Sequence, residues 1–384
     1  MEKELEKCLM CKKPLCEVCP AGTPICRVIG LVRDGKIDEA GEVLFDNNPL
    51  TAITGAVCPN HLFCKGGCVL GRKRVAVDFA CIEAEVSRRY LQNANAANNV
   101  FARSTCDEAI PTHKNVLVVG SGPAGIALAY YLNKVGFNVT VCEREEKFGG
   151  MLRYGIPDFR LDKSLIDKVI ERVKSVGVTF KANCPIDLKN LPSEFDIVVL
   201  AIGAGISRSL GIEGEELTVP ALEYLKNPKR GENVIVIGAG NVAIDCTLTA
   251  AELGAESVNL CYRRDETAMK AYPEELEHAR SKGVVFNYFM VPKKVTHDGV
   301  TFDKQGEEIF MPADKVIVAI GQGAVDLDMC GEYNFECTQN GLVKAEEFKT
   351  NKPNVYALGD AVTGTSTIVQ VIGHAKQLAE MLSK

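Results

Sequence analysis

Two glycine-rich turns, each set between a short apolar run and a helical stretch, constrain this chain more than any other feature. The first is Gly120-Ser121-Gly122-Pro123-Ala124-Gly125, entered from the apolar run 116–119 and left through a helical pattern over 126–135. The second is Gly238-Ala239-Gly240-Asn241-Val242-Ala243, entered from 234–237 and followed by a helical stretch to Leu253. A strand, a tight turn and a helix begin a βαβ unit, and the next strand-like runs, 139–142 and 257–261, complete it in each case. Further short strands end in glycine at 197–203 and 316–321, and a last one runs over 355–360. The second unit is therefore expected as an insert between the halves of the first. The expected domains are 1–113, then 114–228 joined with 321–384, then 229–320.

Glycines placed between strand and helix let the backbone approach a pyrophosphate, and the helix N-terminus offers oriented N–H donors. About twenty residues past the first turn, Glu143 ends the second strand, where a carboxylate accepts ribose hydroxyls. The corresponding place after the second turn holds Arg263 and Arg264, and a guanidinium there suits a 2′-phosphate. That favours NADPH over NADH, with a pair of solvated surface arginines as the plain alternative. Gly149-Gly150 trails Glu143, Gly359-Asp360 ends the last strand, and Thr367-Ile368 opens a final helix whose positive end suits a reduced flavin ring. FAD is expected in the discontinuous outer domain and NAD(P)H in the insert.

Ahead of these units stand two runs of cysteine. Cys8, Cys11, Cys16 and Cys19-Pro20 form the first; Cys58-Pro59, Cys64 and Cys68 form the second, with Cys81 following. Thiolates at such spacings hold either zinc or iron–sulfur clusters. A flavin domain in the same chain favours clusters, because a flavin that collects hydride needs a one-electron outlet. Sixteen cysteines in a small chain suggest a disulfide scaffold, but here they concentrate before residue 82 of 384. Asp38 is expected to cap a helix, and residues 83–91 form another. Residues 92–114 look like a connecting segment.

A net charge of −6 excludes a general field for nucleic acid. Arg72-Lys73-Arg74 and Arg88-Arg89 are expected on solvated faces. No apolar run reaches the ~18 residues of a membrane span, and charge fills the place of a signal peptide, so a cytoplasmic protein is expected.

The chain resembles the glutamate synthase small-subunit family of FAD- and NADPH-binding proteins. That family includes the amino-terminal half of dihydropyrimidine dehydrogenase and the large subunit of electron-bifurcating ferredoxin–NADP oxidoreductases. The matching stretches are Gly149-Gly150-Met151-Leu152-Arg153-Tyr154-Gly155-Ile156-Pro157, Leu200-Ala201-Ile202-Gly203-Ala204-Gly205, Tyr262-Arg263-Arg264-Asp265 and Leu358-Gly359-Asp360. The resemblance implies an α/β fold of the glutathione-reductase type behind a helical iron–sulfur domain, with Gly203 among the cofactor contacts. It implies two [4Fe–4S] clusters, one on Cys8, Cys11, Cys16 and Cys68, the other on Cys19, Cys58 and Cys64. The fourth ligand of the second is a polar non-cysteine side chain in relatives; here the place falls on Cys81, with Glu83 as the fallback. The two-residue gap between Cys16 and Cys19 departs from the family's usual three. Cys26 is spare by this arithmetic and is expected as a core thiol.

The implied chemistry needs no side-chain acid or base, so no catalytic residue is named. The implied role is an electron-input subunit that feeds a catalytic partner in a hetero-oligomer. Glutamate synthesis and dihydropyrimidine metabolism both stay open, with Cys64-Lys65-Gly66-Gly67-Cys68 and Asn48-Pro49-Leu50 leaning toward the latter. The alternatives are a thioredoxin-reductase-like disulfide reductase, a flavin-dependent NADPH diaphorase and a non-enzymatic redox sensor. The first needs a cysteine pair beside the flavin, and Cys142, Cys184, Cys246, Cys261, Cys330 and Cys337 contain no C-x-x-C or C-x4-C motif.

Overall fold

The computed structural model describes residues 1–73, 75–93, 114–205, 207–323, 329 and 331–384. Most of the connecting segment expected over 92–114, together with Arg74 and Cys330, lies outside the described residues. The chain forms two compact units, one of Met1–Arg153, Asp158–Ala204 and Val325–Lys384, the other of Tyr154–Pro157 and Gly205–Ala324.

The first unit is built on strands β1 (Asn115–Val119), β2 (Asn138–Cys142), β3 (Thr179–Lys181) and β4 (Ile197–Leu200), closed by a late strand near the C-terminus, Val355–Ala357. The late strand lies beside β4, and the order continues β4-β1-β2-β3, every pair parallel. β1 and β4 are buried along almost their whole length, as central strands covered on both faces must be. Helix Pro123–Lys134 crosses from β1 to β2, and helix Ile368–Leu382 follows the late strand.

The cysteine-rich region belongs to this same unit. Its helices Glu2–Lys7, Ile25–Arg33, Ile37–Asn47 and Phe79–Gln92 share a core of Leu5, Ile25, Ile29, Leu44, Ile82 and Val86, and helix Thr51–Val57 bonds to the last of them through Thr51 and Thr54. The helix expected to begin behind Asp38 starts two residues earlier, at Ile37 with Lys36 as cap, so Asp38 serves as a first-turn acid instead. The helix expected over 83–91 extends back to Phe79. Compactness does not separate this region from the sheet. The reason lies in buried contacts: Phe45 packs edge-on against Tyr130 at 5.4 Å, the Tyr131 hydroxyl donates to Asn47 O at 2.6 Å, and the Arg172 guanidinium stacks on Tyr90 at 4.7 Å.

The second unit holds β5 (Val219–Pro220), β6 (Asn233–Gly238), β7 (Ser257–Tyr262) and β8 (Val285–Tyr288), with β12 (Lys315–Ala319) inserted to give the parallel order β5-β12-β6-β7-β8. Between β8 and β12 runs an antiparallel meander, β9 (Val291–Thr296), β10 (Gly299–Lys304) and β11 (Glu307–Pro312). The unit begins upstream of the expected 229, because β5 pairs with β12 and helix Ala221–Lys226 buries Ala221 and Tyr224 in the same core. Among the described residues no helix is long and apolar enough to cross a membrane.

Candidate cofactor and cluster sites

At the end of β1 the chain turns through Gly120, whose φ of +102° suits glycine; an added Cβ would lie 2.6 Å from Ala201 O. Gly122 caps helix Pro123–Lys134 and, as a glycine, brings no side chain to the helix's first turn. A Cβ on Gly122 would meet nothing within 4 Å, so open space lies before the helix end. The first turn carries no acidic residue. Pro123 stands where an N–H is unneeded, and Ala124 and Gly125 complete the turn. This is a cradle for an anion: helix-end amides, a positive helix end and open space beside Gly122.

Glu143 is buried beside it. Its Oε2 accepts from Ser121 N at 2.9 Å and Ser121 Oγ at 2.6 Å, while Oε1 accepts from Glu145 N at 3.1 Å. Ser121 Oγ also accepts from Gly149 N at 3.1 Å, and a Cβ on Gly150 would lie 2.9 Å from Gly122 Cα. Ser121, which the glycine spacing does not single out, thus ties Glu143 and Gly149-Gly150 to the turn. Gly359 approaches from the other side, its absent Cβ 3.0 Å from Ala124 Cβ. Asp360 accepts from Ser366 N at 3.1 Å and Ser366 Oγ at 2.6 Å, and burial pushes its carboxyl above the ordinary carboxylate range. Gly203 follows β4, the strand beside β1, with open space next to it. Thr367 caps helix Ile368–Leu382 in a reciprocal box with Gln370. The outer-unit candidates therefore gather at the C-terminal edge of one parallel sheet, where such folds bind their ligands.

The second turn repeats the plan. Gly240 caps helix Asn241–Glu252 and again has open space before it. Asn241 Oδ1 accepts from Tyr272 N at 3.0 Å, and Val242 is exposed on the first helical turn. Arg263 and Arg264 are exposed just beyond β7, which runs parallel to β6. The basic pair and the glycine turn share one sheet edge.

The thiols line two cavities in the first unit. Cys8, Cys11, Cys16 and Cys68 line one together with Cys26 and Cys64. Cys19, Cys58, Cys64 and Glu83 line the other, along with Val369 of the last helix. Cys64, Ile25 and Phe79 border both, so the cavities adjoin. Burial pushes the Cys16 and Cys64 thiols up to about 12, and the Cys58 thiol further in the same direction. Thiols in this state give up protons when a cationic centre binds them. Among the described residues no three His, Cys, Asp or Glu side chains are placed to hold a single metal ion. Thiols ringed around a cavity suit instead a group of several metal and sulfide atoms, whose corners stand apart.

Cys81 is not brought to this site. It is exposed on helix Phe79–Gln92, whose buried stripe is Phe79, Ile82, Glu83, Val86, Ser87 and Tyr90, and it lines neither cavity. Glu83, the fallback, does line the second cavity. Thr51 and Thr54 donate to its Oε1 at 2.9 and 2.8 Å, and burial raises its carboxyl to about 7. Cys26 is half-buried against the first cavity rather than in the core. Cys246, fully buried among apolar neighbours, is a packing thiol.

The last helix meets the cysteine loop directly. A Cβ on Gly373 would lie 2.6 Å from Pro20 O, and Lys376 Nζ donates to Ala21 O at 2.5 Å and Asn47 Oδ1 at 2.7 Å. The Thr23 hydroxyl donates to Cys19 Sγ at 3.4 Å.

The family model described as pyridine nucleotide-disulphide oxidoreductase matches residues 114–377, and one described as dihydropyrimidine dehydrogenase domain II, 4Fe-4S cluster, matches 1–97. The glutamate synthase [NADPH] small chain of Escherichia coli (strain K12) is 30% identical over 429 residues, covering 98% of this chain and 89% of that one. The NAD-dependent dihydropyrimidine dehydrogenase subunit PreT of the same strain is 30% identical over 394 residues, covering 99% and 93%. Among solved structures, the thioredoxin reductase of Lactococcus lactis superposes with a TM-score of 0.58 at 20% identity, over 70% of this chain and 97% of that one. That last likeness concerns the fold.

Proposed function

Because the chain belongs to the pyridine nucleotide-disulphide oxidoreductase family and carries a 4Fe-4S module ahead of that fold, we propose that it is the electron-input subunit of a larger enzyme. It is an NAD(P)H-dependent oxidoreductase with FAD and 4Fe-4S clusters as cofactors. When bound, NAD(P)H supplies a hydride to the flavin and the clusters relay electrons singly.

The chain's own residues bind and position. Gly120, Gly122, Pro123, Ala124 and Gly125 hold the FAD pyrophosphate on the open helix end, and Glu143 takes the ribose. Gly149, Gly150, Gly203, Gly359 and Asp360 border the same cofactor, with Thr367 and Ile368 presenting a positive helix end. Gly238, Gly240, Asn241 and Val242 hold the nicotinamide dinucleotide, and Arg263 with Arg264 favours NADPH. Cys8, Cys11, Cys16 and Cys68 ligate one cluster; Cys19, Cys58, Cys64 and Glu83 ligate the second. The observation that carries this reading is helix Ile368–Leu382. Its first turn follows Asp360, its Val369 lines the second cavity, and its Lys376 holds the loop behind Cys19. One rigid element therefore spans from the flavin side to the cluster side.

Relatives named as a small chain and as a subunit support a partner that accepts the electrons and sets the final reaction, glutamate synthesis or dihydropyrimidine turnover. The protein works in the cytoplasm, where thiol ligands stay reduced. An anaerobic spectrum with iron, sulfide and flavin analysis, followed by NADPH and then NADH titration, tests the reading. The expected result is about eight iron and eight sulfide per FAD, with flavin and cluster bands bleached first by NADPH. Zinc in place of iron, or a flavin that neither nucleotide reduces, overturns it.

A further inference from the structure

Two thiols forty-two residues apart in sequence meet in the first unit. Cys142 closes β2, and Cys184 stands three residues past the end of β3, its parallel neighbour. The chain between folds back through Asn183, at φ +50°, whose N donates to Glu145 O at 3.1 Å. Cys184 N then donates to Glu143 O at 2.8 Å, and Glu143 N to Lys181 O at 2.9 Å. These bonds set the two sulfurs 2.9 Å apart, with Cys184 donating to Cys142. Cys142 is buried, while Cys184 is half-buried and the more exposed of the two. Two sulfurs in ordinary contact stand farther apart than this, and a disulfide needs about 2.05 Å, so closure asks for a movement of under about 1 Å.

We propose that Cys142 and Cys184 are an oxidisable dithiol site that a low-molecular-weight disulfide closes. The Cys184 thiol attacks one sulfur of the oxidant, forming a mixed disulfide and releasing one reduced thiol. Cys142 then attacks the Cys184 sulfur, and the second thiol departs with the Cys142 proton. The pair loses two electrons and two protons; the oxidant becomes two thiols. Exposure orders the steps, since burial holds the Cys142 thiol above its ordinary range and Cys184 is the more exposed. The resulting bond stands next to Glu143, which follows Cys142 and accepts from Ser121 N and Oγ, and so braces the segment that holds Ser121. It is independent of the cluster and cofactor assignments.

Anaerobically prepared holoprotein is incubated with oxidised glutathione, blocked with iodoacetamide and digested without reduction. The expected product is a cross-linked peptide joining Cys142 to Cys184, with loss of both from the alkylatable thiols and an upward shift in melting temperature. In Cys142→Ala, Cys184 is expected to stop at the stable glutathione adduct. Both thiols alkylated in the wild type, or a lasting glutathione adduct on wild-type Cys184 with Cys142 still free, overturns the proposal. So does a Cys184 that takes no glutathione in the variant. Peptide mapping of the wild type decides the matter alone if the variant does not fold.

Discussion

Cys81 and Glu83 stand two positions apart on one helix, and side chains two apart do not share a helical face. The buried stripe takes Glu83 inward between Thr51 and Thr54 and leaves Cys81 outside. Chemical softness makes cysteine the better iron ligand, yet placement outranks ligand type. Cys81→Ser is therefore expected to keep about eight iron per chain and to change stability by under about 0.5 kcal/mol. Glu83→Ala is expected to lose the second cluster, falling to about four iron, and to cost about 1–3 kcal/mol because the Thr51 and Thr54 hydroxyls lose a buried carboxylate and keep only their neutral partners, Ser87 Oγ and the carbonyls of Leu50 and Thr51. Iron analysis beside a denaturant titration reads both; the opposite pattern would return the ligand to Cys81. The sequence could not separate these two residues, since the decision rests on which face the helix buries. Cys8, Cys11, Cys16, Cys19, Cys58, Cys64 and Cys68 stood out by their spacing, and all seven line the two cavities. Ser121 did not stand out, because a serine inside a glycine turn carries no spacing of its own.

At the scale of elements, the two βαβ units were legible because central parallel strands are continuously apolar and the glycine turns mark their ends. The meander β9–β11 was not. Glu307–Pro312 alternates only between exposed and half-buried positions, and Val291–Thr296 carries Pro292, Lys293 and Lys294, so neither offers a clean apolar alternation. Helix Ile368–Leu382 was expected from its opening residues alone. Its grip on the cysteine loop is a matter of tertiary packing: Gly373 allows the approach to Pro20, and Lys376 places a cation on two acceptors. Lys376→Met keeps the length and apolar stem of the side chain and removes the donor. It is expected to cost about 1–3 kcal/mol, because Asn47 Oδ1 loses its lysine donor and Ala21 O keeps only the bond from Asn47 Nδ2 at 3.3 Å, and to lower the melting temperature by several degrees. Flavin content should stay unchanged, since the glycine turn lies elsewhere. An unchanged melting temperature would mean that solvent replaces the lysine without loss and that the helix does not hold the loop.

Across the whole molecule the question is whether the chain is a relay or a flavin reductase that merely carries clusters. The two readings share every residue of the nucleotide turns, so only the thiol region distinguishes them. Cys64 is the decisive position, because it borders both cavities and a change there disturbs both at once. Cys64→Ala removes a half-buried thiol packed at the edge of the helical core, while the glycine turns and Glu143 are formed by other residues of the chain. The variant is thus expected to retain FAD and to bleach it with NADPH at close to the wild-type rate. Its iron should fall well below wild type, and reduction of a one-electron protein acceptor should fall to background. Rapid-mixing absorbance at the flavin band and at the acceptor band reads the two steps separately. If acceptor reduction survives the loss of iron, electrons leave the flavin directly and the diaphorase reading holds. If flavin reduction also fails, the cysteine region supports the flavin fold itself, consistent with its sharing one compact unit with the sheet. Loss of the second step with the first intact is the outcome that a relay requires, because only then do the clusters carry what the nucleotide delivers.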